Sequence, residues 1–317
     1  MRDKKPAPKN RLRLRAQPRR GSSARTGFPP PAGPIAPTPD AANSAVQVSA
    51  PAASPDSPSP LPTASKPLSA RDNSLFDRAL RVSKTGMHIL TLVPLYLLAS
   101  VCIGVSLVPG AWLFSHVSAL TAHQPELLHL TAVCIAGACG FFLYGFTLIL
   151  VLPLANFVLR ARVVPWRGHY YSAGILNWYV HNALIYLARY TFLEFVTPTP
   201  LNLLFYKLMG MHIGQGTQIN SVNISDAALV TLGERVTIGG SATIVAHYGM
   251  GGVLIISPVN IGNGATIGLK ATIMGGVEIG EGAKVMPNSV VLPRTKIPAG
   301  ETWGGVPARK IELRKAA

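Results

Sequence analysis

Acidic residues are scarce in this chain: 13 Asp and Glu stand against 29 Lys and Arg, a formal net charge of +16. Such an excess favours anionic surroundings. From Met87 to Phe114, and again from Leu127 to Leu159, there is no Asp, Glu, Lys or Arg at all, which excludes a solvated charged face on any helix formed there. Cysteine is nearly absent. Cys102, Cys134 and Cys139 lie inside those apolar stretches, so neither a disulfide framework nor a cysteine-based zinc site can be assembled. Beyond Ile213 the one histidine is His247; with His212 it leaves a three-imidazole zinc site short of a ligand. Large apolar side chains are few in residues 1–75, which are rich in Pro, Ala and Ser and carry a basic cluster from Arg2 to Arg25. Such a segment cannot bury a core and reads as a disordered, solvated tail, with a basic arm against anionic lipid as the alternative. Arg19-Arg20 is followed by Pro29-Pro30-Pro31 instead of an apolar run, which argues against a twin-arginine export signal. No basic face with interleaved aromatics accompanies the tail, so nucleic acid is not an expected partner.

The two uncharged runs each exceed the ~20 residues that cross a bilayer, and predict a two-helix transmembrane region over residues 76–165. Pro94, Pro109 and Pro153 imply kinks or ends. Arg71, Arg78, Arg81 and Lys84 precede the first run, Arg160, Arg162 and Arg167 follow the second, and the loop between holds no Lys or Arg. Both termini are therefore expected in the cytoplasm. Residues 166–210 read as a helical connector. Within it Asn177, His181 and Arg189 fall near one face at helical spacing, which suggests a helix lying in the headgroup plane. Thr197-Pro198-Thr199-Pro200 ends it, and Leu201 to Met209 reads as a short helix stopped by Gly210.

From Ile261 to Ala308 a large apolar residue opens every sixth position: Ile261, Ile267, Ile273, Ile279, Val285, Val291, Ile297 and Trp303. Six is no helical period, and the glycine density excludes helix. The pattern predicts a solenoid over residues 211–317 in which short strands stack coil on coil above a column of β-branched side chains. Gly at the second hexad position suits corners where a Cβ would clash or where φ must be positive. The rhythm breaks at Ala246 to Pro258, about five residues too long, so a loop is expected to protrude with His247 on it. An imidazole there is suited to take a proton from an attacking hydroxyl or amine.

At three places these residues resemble known proteins, over roughly Leu201 to Ile311. Thr231-Leu232-Gly233-Glu234-Arg235-Val236-Thr237-Ile238, followed by Ala246-His247, is similar to the catalytic stretch of hexapeptide-repeat acyltransferases. Trp303 to Ile311 resembles their terminal signature. Pro198 to Leu203 leading to Gly210 and Ile213-Gly214, with Asn223-Ile224-Ser225-Asp226, is similar to the C-terminal membrane part of poly-lysine-type peptide synthetases. The resemblance implies a left-handed parallel β-helix with three hexads per coil, giving a mainly β chain preceded by two transmembrane helices and a short connector. It further implies an acetyl-CoA or other acyl-CoA donor, no metal, and a homotrimer with the site between neighbouring subunits.

The expected activity is transfer of a short acyl group to a hydroxyl or amine of an envelope saccharide, lipid-linked glycan or amino compound at the bacterial inner membrane. His247 is the expected base, and the acid that orients it is Asp226, Glu234 or neither. Backbone N–H groups near Gly249 to Gly252 are expected to hold the oxyanion. Gly275, Gly276, Gly304 and Gly305 would let a pantetheine arm approach the backbone, and Lys296, Arg309 and Lys310 would meet phosphates. No adenylation or carrier domain is seen, so the alternative of amide formation from a carrier-bound thioester needs a partner protein. A non-catalytic membrane scaffold is the remaining alternative.

Overall fold

The computed structural model describes residues 84–170 and 172–312; the tail reading of residues 1–75 falls outside them. Helices α1 (Lys84–Thr121) and α2 (Glu126–Val158) form a hairpin. At 1.5 Å per residue they are ~57 and ~50 Å long, against ~30 Å of bilayer hydrocarbon. Both are long and apolar enough to cross a membrane. The prolines do not end them: α1 continues through Pro94 and Pro109, and α2 through Pro153. They cross where Gly110 meets Gly140, so closely that a Cβ on Gly110 would stand 2.7 Å from the Gly140 carbonyl oxygen. Small residues at such a crossing let helix backbones approach where lipid offers no hydrophobic drive. Much of both helices is bare apolar surface, with Trp112 65% and Leu154 60% exposed.

The C-terminal half of α2 is covered on one side. Leu148, Ile149 and Leu152 pack into the core that continues through Phe192, Phe205 and Tyr206 into the solenoid. Helix α3 (Leu176–Thr191) lies between α2 and the solenoid, and α4 (Pro200–Leu208) leads into the first coil, opened by Thr199 accepting from the Leu201 N–H. The polar residues of α3 do not share one environment. Asn177 is exposed, but His181 and Asn182 are buried, with His181 Nδ1 3.0 Å from Asn156 Oδ1 of α2.

The solenoid is a three-faced parallel β-helix. Its first face stacks His212–Ile213, Val230–Leu232, Val259–Ile261, Glu278–Ile279 and Lys296–Ile297. The second runs from Gln218–Ile219 to Thr302–Gly304, and the third holds Thr243–Ile244, Thr272–Ile273 and Val290–Val291. The pairs Ile261↔Ile279, Ile267↔Val285 and Ile273↔Val291 join hexad-opening residues 18 positions apart, three hexads to a coil. Their side chains fill the interior, with Ala265, Ala271 and Ala283 buried at the fifth hexad positions. The second-position glycines serve close approach: a Cβ on Gly268 would lie 2.4 Å from the Pro287 nitrogen of the next coil. Positive φ falls instead at the fourth position, where Lys270, Asn288 and Arg294 adopt it as well as glycines. Arg309–Lys310 folds back antiparallel on Trp303–Gly304 and closes the last coil.

Ile244 and Ile273 are ladder neighbours 29 residues apart where regular coils take 18. Eleven residues are inserted, not about five, because Val253–Ile256 copies the strand pattern without joining a coil. The insert is a β-hairpin, His247–Met250 against Val253–Ile256, and Trp166–His169 from the connector adds a third antiparallel strand. A strand within the connector carries no period long enough to be read from sequence.

Candidate active site

His247 is the first residue of the hairpin, at the corner where the chain leaves the third face for the first. One coil earlier the same corner is turned by Asp226 with φ 56° and ψ 40°. Aspartate is among the few residues other than glycine that adopt this left-handed conformation. The side chain has no exposed surface, and all four of its neighbours are donors. Oδ1 accepts from Trp178 Nε1 at 2.6 Å and from Asn182 Nδ2 at 2.7 Å. Oδ2 accepts from the Ala246 N–H at 2.9 Å and lies 2.6 Å from His247 Nδ1. Burial alone would raise the Asp226 carboxyl; the hydrogen bond and charge of His247, then the bonds from Asn182 and Trp178, outweigh it and hold the group below the usual carboxylate range.

An ionised carboxylate can only accept, so His247 Nδ1 carries the hydrogen, and in the neutral ring Nε2 presents a lone pair. The His247 side chain keeps 24% of its surface. The Trp178 ring stands edge-on to the imidazole, centroids 5.1 Å apart at 80°. The site is thus an oriented imidazole with one free nitrogen, backed by a buried anion. His181, next to Asn182 in α3, is buried with Nε2 unpartnered; burial, against the pull of Asp226, lowers its pKa to about 4.

The other residues singled out from sequence are distributed unevenly. Glu234 is exposed at the corner between the first and second faces, 3.8 Å from Arg235, and is not brought to the imidazole. Gly275 lies directly below the hairpin root, where a Cβ would come within 2.9 Å of the His247 nitrogen, and Gly276 follows on the same corner beside Ser257 and Arg294. Gly304 and Gly305 sit on the next corner, against Met286 and Ser289. Lys296 pairs with Glu278 at 2.9 Å and lines a shallow groove on the first face with Thr231 and Asn260. Lys310 pairs with Glu301 at 2.6 Å, while Arg309 is exposed.

Of the residues expected to supply oxyanion donors, Gly251 and Gly252, with φ of +57° and +78°, form the hairpin tip, up to ~13–17 Å along the strand from His247 at ~3.3 Å per residue, whereas Gly249 follows His247 by two positions in the same strand. Among the described residues no three His, Cys, Asp or Glu converge as metal ligands would. The sequence does not mark out Trp178 and Asn182 as site residues; the available signal is a polar Asn one turn after a Trp.

No family model matches the chain. It is 25% identical over 185 residues to a delta-poly-L-ornithine synthetase of Acinetobacter baumannii, a match covering 56% of this chain and 13% of that protein. It is 35% identical over 106 residues to the mitochondrial gamma carbonic anhydrase 2 of Arabidopsis thaliana, covering 31% of this chain and 34% of that one. The chain therefore spans about an eighth and about a third of those two relatives. With "Putative acetyltransferase YvoF" of Bacillus subtilis it shares 31% identity over 135 residues, 42% of this chain and 75% of the relative. Among solved structures, a hexapeptide-repeat acetyltransferase of Vibrio cholerae is 22% identical, with a TM-score of 0.36, covering 47% of this chain and 97% of that one.

Proposed function

The chain belongs to the hexapeptide-repeat acyltransferase family, and on that premise we propose that it is a membrane-anchored acyltransferase with His247 as general base. The observation that carries the reading is the 2.6 Å contact between His247 Nδ1 and a buried, ionised Asp226. The proposed donor is acetyl-CoA or another short acyl-CoA; the acceptor is a hydroxyl or amine on an envelope saccharide, lipid-linked glycan or amino compound. Nε2 takes the acceptor's proton as its oxygen or nitrogen attacks the thioester carbonyl. The tetrahedral adduct then expels the CoA thiolate, which takes the proton from the imidazolium. Asp226 fixes the tautomer and stabilises the imidazolium without itself accepting a proton.

The donor is proposed to run past Gly275 and Gly276, the corner below His247. Arg294, on the same corner about 10 Å below at ~4.8 Å per coil, joins Arg309 as a cation for its phosphates. Lys296 and Lys310 would first have to leave Glu278 and Glu301. Gly304 and Gly305 stand on a different corner, which fits a homotrimer whose donor is shared between neighbouring solenoids. The proposed setting is the bacterial inner membrane, crossed by α1 and α2, with both termini and the solenoid cytoplasmic. The bare apolar surface of the two helices and the basic residues flanking them support this. Such anchoring concentrates enzyme and lipid-linked acceptor in two dimensions.

A second reading is favoured by one comparison. The likeness to the poly-ornithine synthetase extends over 185 residues, more than the solenoid contains, and supports amide formation from an aminoacyl thioester delivered by a partner.

The test is mass spectrometry of envelope lipids and glycans from cells with the wild type, with His247→Ala, or with neither. An acyl increment present only with the wild type supports the transferase and names the group moved. Equal profiles in wild type and variant reject His247 as base, and three identical profiles favour the carrier-fed reaction or a scaffold.

A further inference from the structure

The Asp226 carboxylate has two oxygens with different clients. Oδ2 serves the solenoid, through Ala246 and His247; Oδ1 serves only α3, through Trp178 and Asn182. Asn182 binds reciprocally, since its Oδ1 accepts from the Asp226 N–H at 2.8 Å while its Nδ2 donates to the carboxylate and, at 3.1 Å, to the Trp178 carbonyl. With the backbone N–H fixing which end of the amide is oxygen, the Asn182 amide is locked. The Trp178 indole is held by its own bond to Oδ1 and meets the imidazole edge-on.

Two donors on Oδ1 stop the carboxylate from rotating about Cβ–Cγ, and so keep Oδ2 between the Ala246 N–H and Nδ1. They also stabilise its charge, which burial opposes. Neither donor belongs to the solenoid. Helix α3 is in turn seated on α2, through His181 with Asn156 and through Phe192 against Gly145.

We propose that Trp178 and Asn182 are positioning residues of the acyl-transfer site, so that the oriented Asp226–His247 pair is complete only while α3 is seated between α2 and the solenoid. The proposal rests on His247 being the base. It makes the helix next to the candidate membrane spans part of the active site, and a solenoid freed from that helix has a carboxylate with half its donors.

The experiment uses the full chain in detergent with acetyl-CoA as probe and envelope extract from cells lacking the protein as acceptor, and follows release of the CoA thiol. Trp178→Phe keeps ring and bulk but removes the N–H; Asn182→Ala removes the amide. Each is expected to lower kcat about 10- to 100-fold, part of the ~10²–10⁴ that a positioned base supplies, with KM for acetyl-CoA within about twofold. The acid limb of the pH–rate profile, which reports the coupled pair and not one residue, should move up by about half a unit or more because Asp226 has lost donors that keep it ionised. The titratable groups facing Asp226 are His247 and His181, and both are unchanged in these variants. Tyr186→Phe, which removes a 3.2 Å contact with Ser225 from the same helix, should behave as wild type.

Turnover within threefold of wild type in both variants, or an unmoved acid limb, overturns the proposal. So does an equal loss in Tyr186→Phe, because helix docking alone would then explain the effect. If wild type and His247→Ala turn over equally, the base reading is itself wrong and this inference falls with it.

Discussion

Replacing Asp226 by Asn exchanges one oxygen for an NH2 group at a point where all four neighbours donate. Whichever way the new amide turns, one side meets two N–H groups with nothing to offer them. Turned toward α3, it leaves the Trp178 and Asn182 donors unmet; Asn182 cannot flip to help, because its oxygen is held by the residue-226 N–H. Turned toward His247, it leaves the Ala246 N–H unmet and drives the imidazole into the other tautomer, which puts a hydrogen on Nε2. Each orphaned buried donor costs about 1–3 kcal/mol, so the variant should lose about 2–4 kcal/mol, a fall of roughly 5–15 °C in melting temperature for a chain of this size. Both orientations also remove the anion behind the base, and acyl transfer should fall by about 10³-fold. Thermal melts in detergent and the CoA-release assay read the two effects separately. A variant that melts within 2 °C of wild type and keeps its turnover, estimated tolerances taken from the same scaling, refutes the claim that this carboxylate is ionised and oriented by four donors.

Two further predictions concern the helices. His181 is neutral when folded, with its pKa lowered from 6.5 to about 4. The unfolded chain therefore binds a proton first as pH falls, and stability present above pH 6.5 is lost through the window down to about 4, by roughly 3 kcal/mol. Melting temperature against pH should fall in that window for the wild type and be flatter for His181→Leu; parallel curves would contradict it. A Cβ on Gly145 would stand 2.1 Å from the Phe192 ring, whereas Gly104 has no atom within 4 Å of such a position. Gly145→Ala should destabilise by about 1–3 kcal/mol as the ring is displaced and reduce acyl transfer through α3, while Gly104→Ala should leave both near wild type. Equal behaviour of the two variants would remove α2 from the support of the site.

Periodic features were legible because they are local. The hexad frame from Ile261 to Trp303 reports the 18-residue coil directly, since every in-frame residue points inward and must be apolar. The two uncharged runs became α1 and α2 because a long apolar helix without charge has no alternative period to adopt. The insertion is visible in the sequence as a break in rhythm, but its length is not, since Leu254 and Ile256 imitate a coil strand while pairing in a hairpin.

The sequence by itself determined that a β-solenoid follows two apolar helices and that His247 stands at a long interruption of its coils, because each of these is a pattern along the chain. Which acid serves that histidine was decided only by tertiary structure. Asp226 and Glu234 were equivalent candidates on spacing, but the corner of the coil buries one against His247 and leaves the other in solvent beside Arg235. The same holds for Trp178 and Asn182, 69 and 65 positions before His247 in the chain. They reach the site because α2 and the solenoid clasp α3 between them, and the burial that results is what makes a four-donor carboxylate necessary.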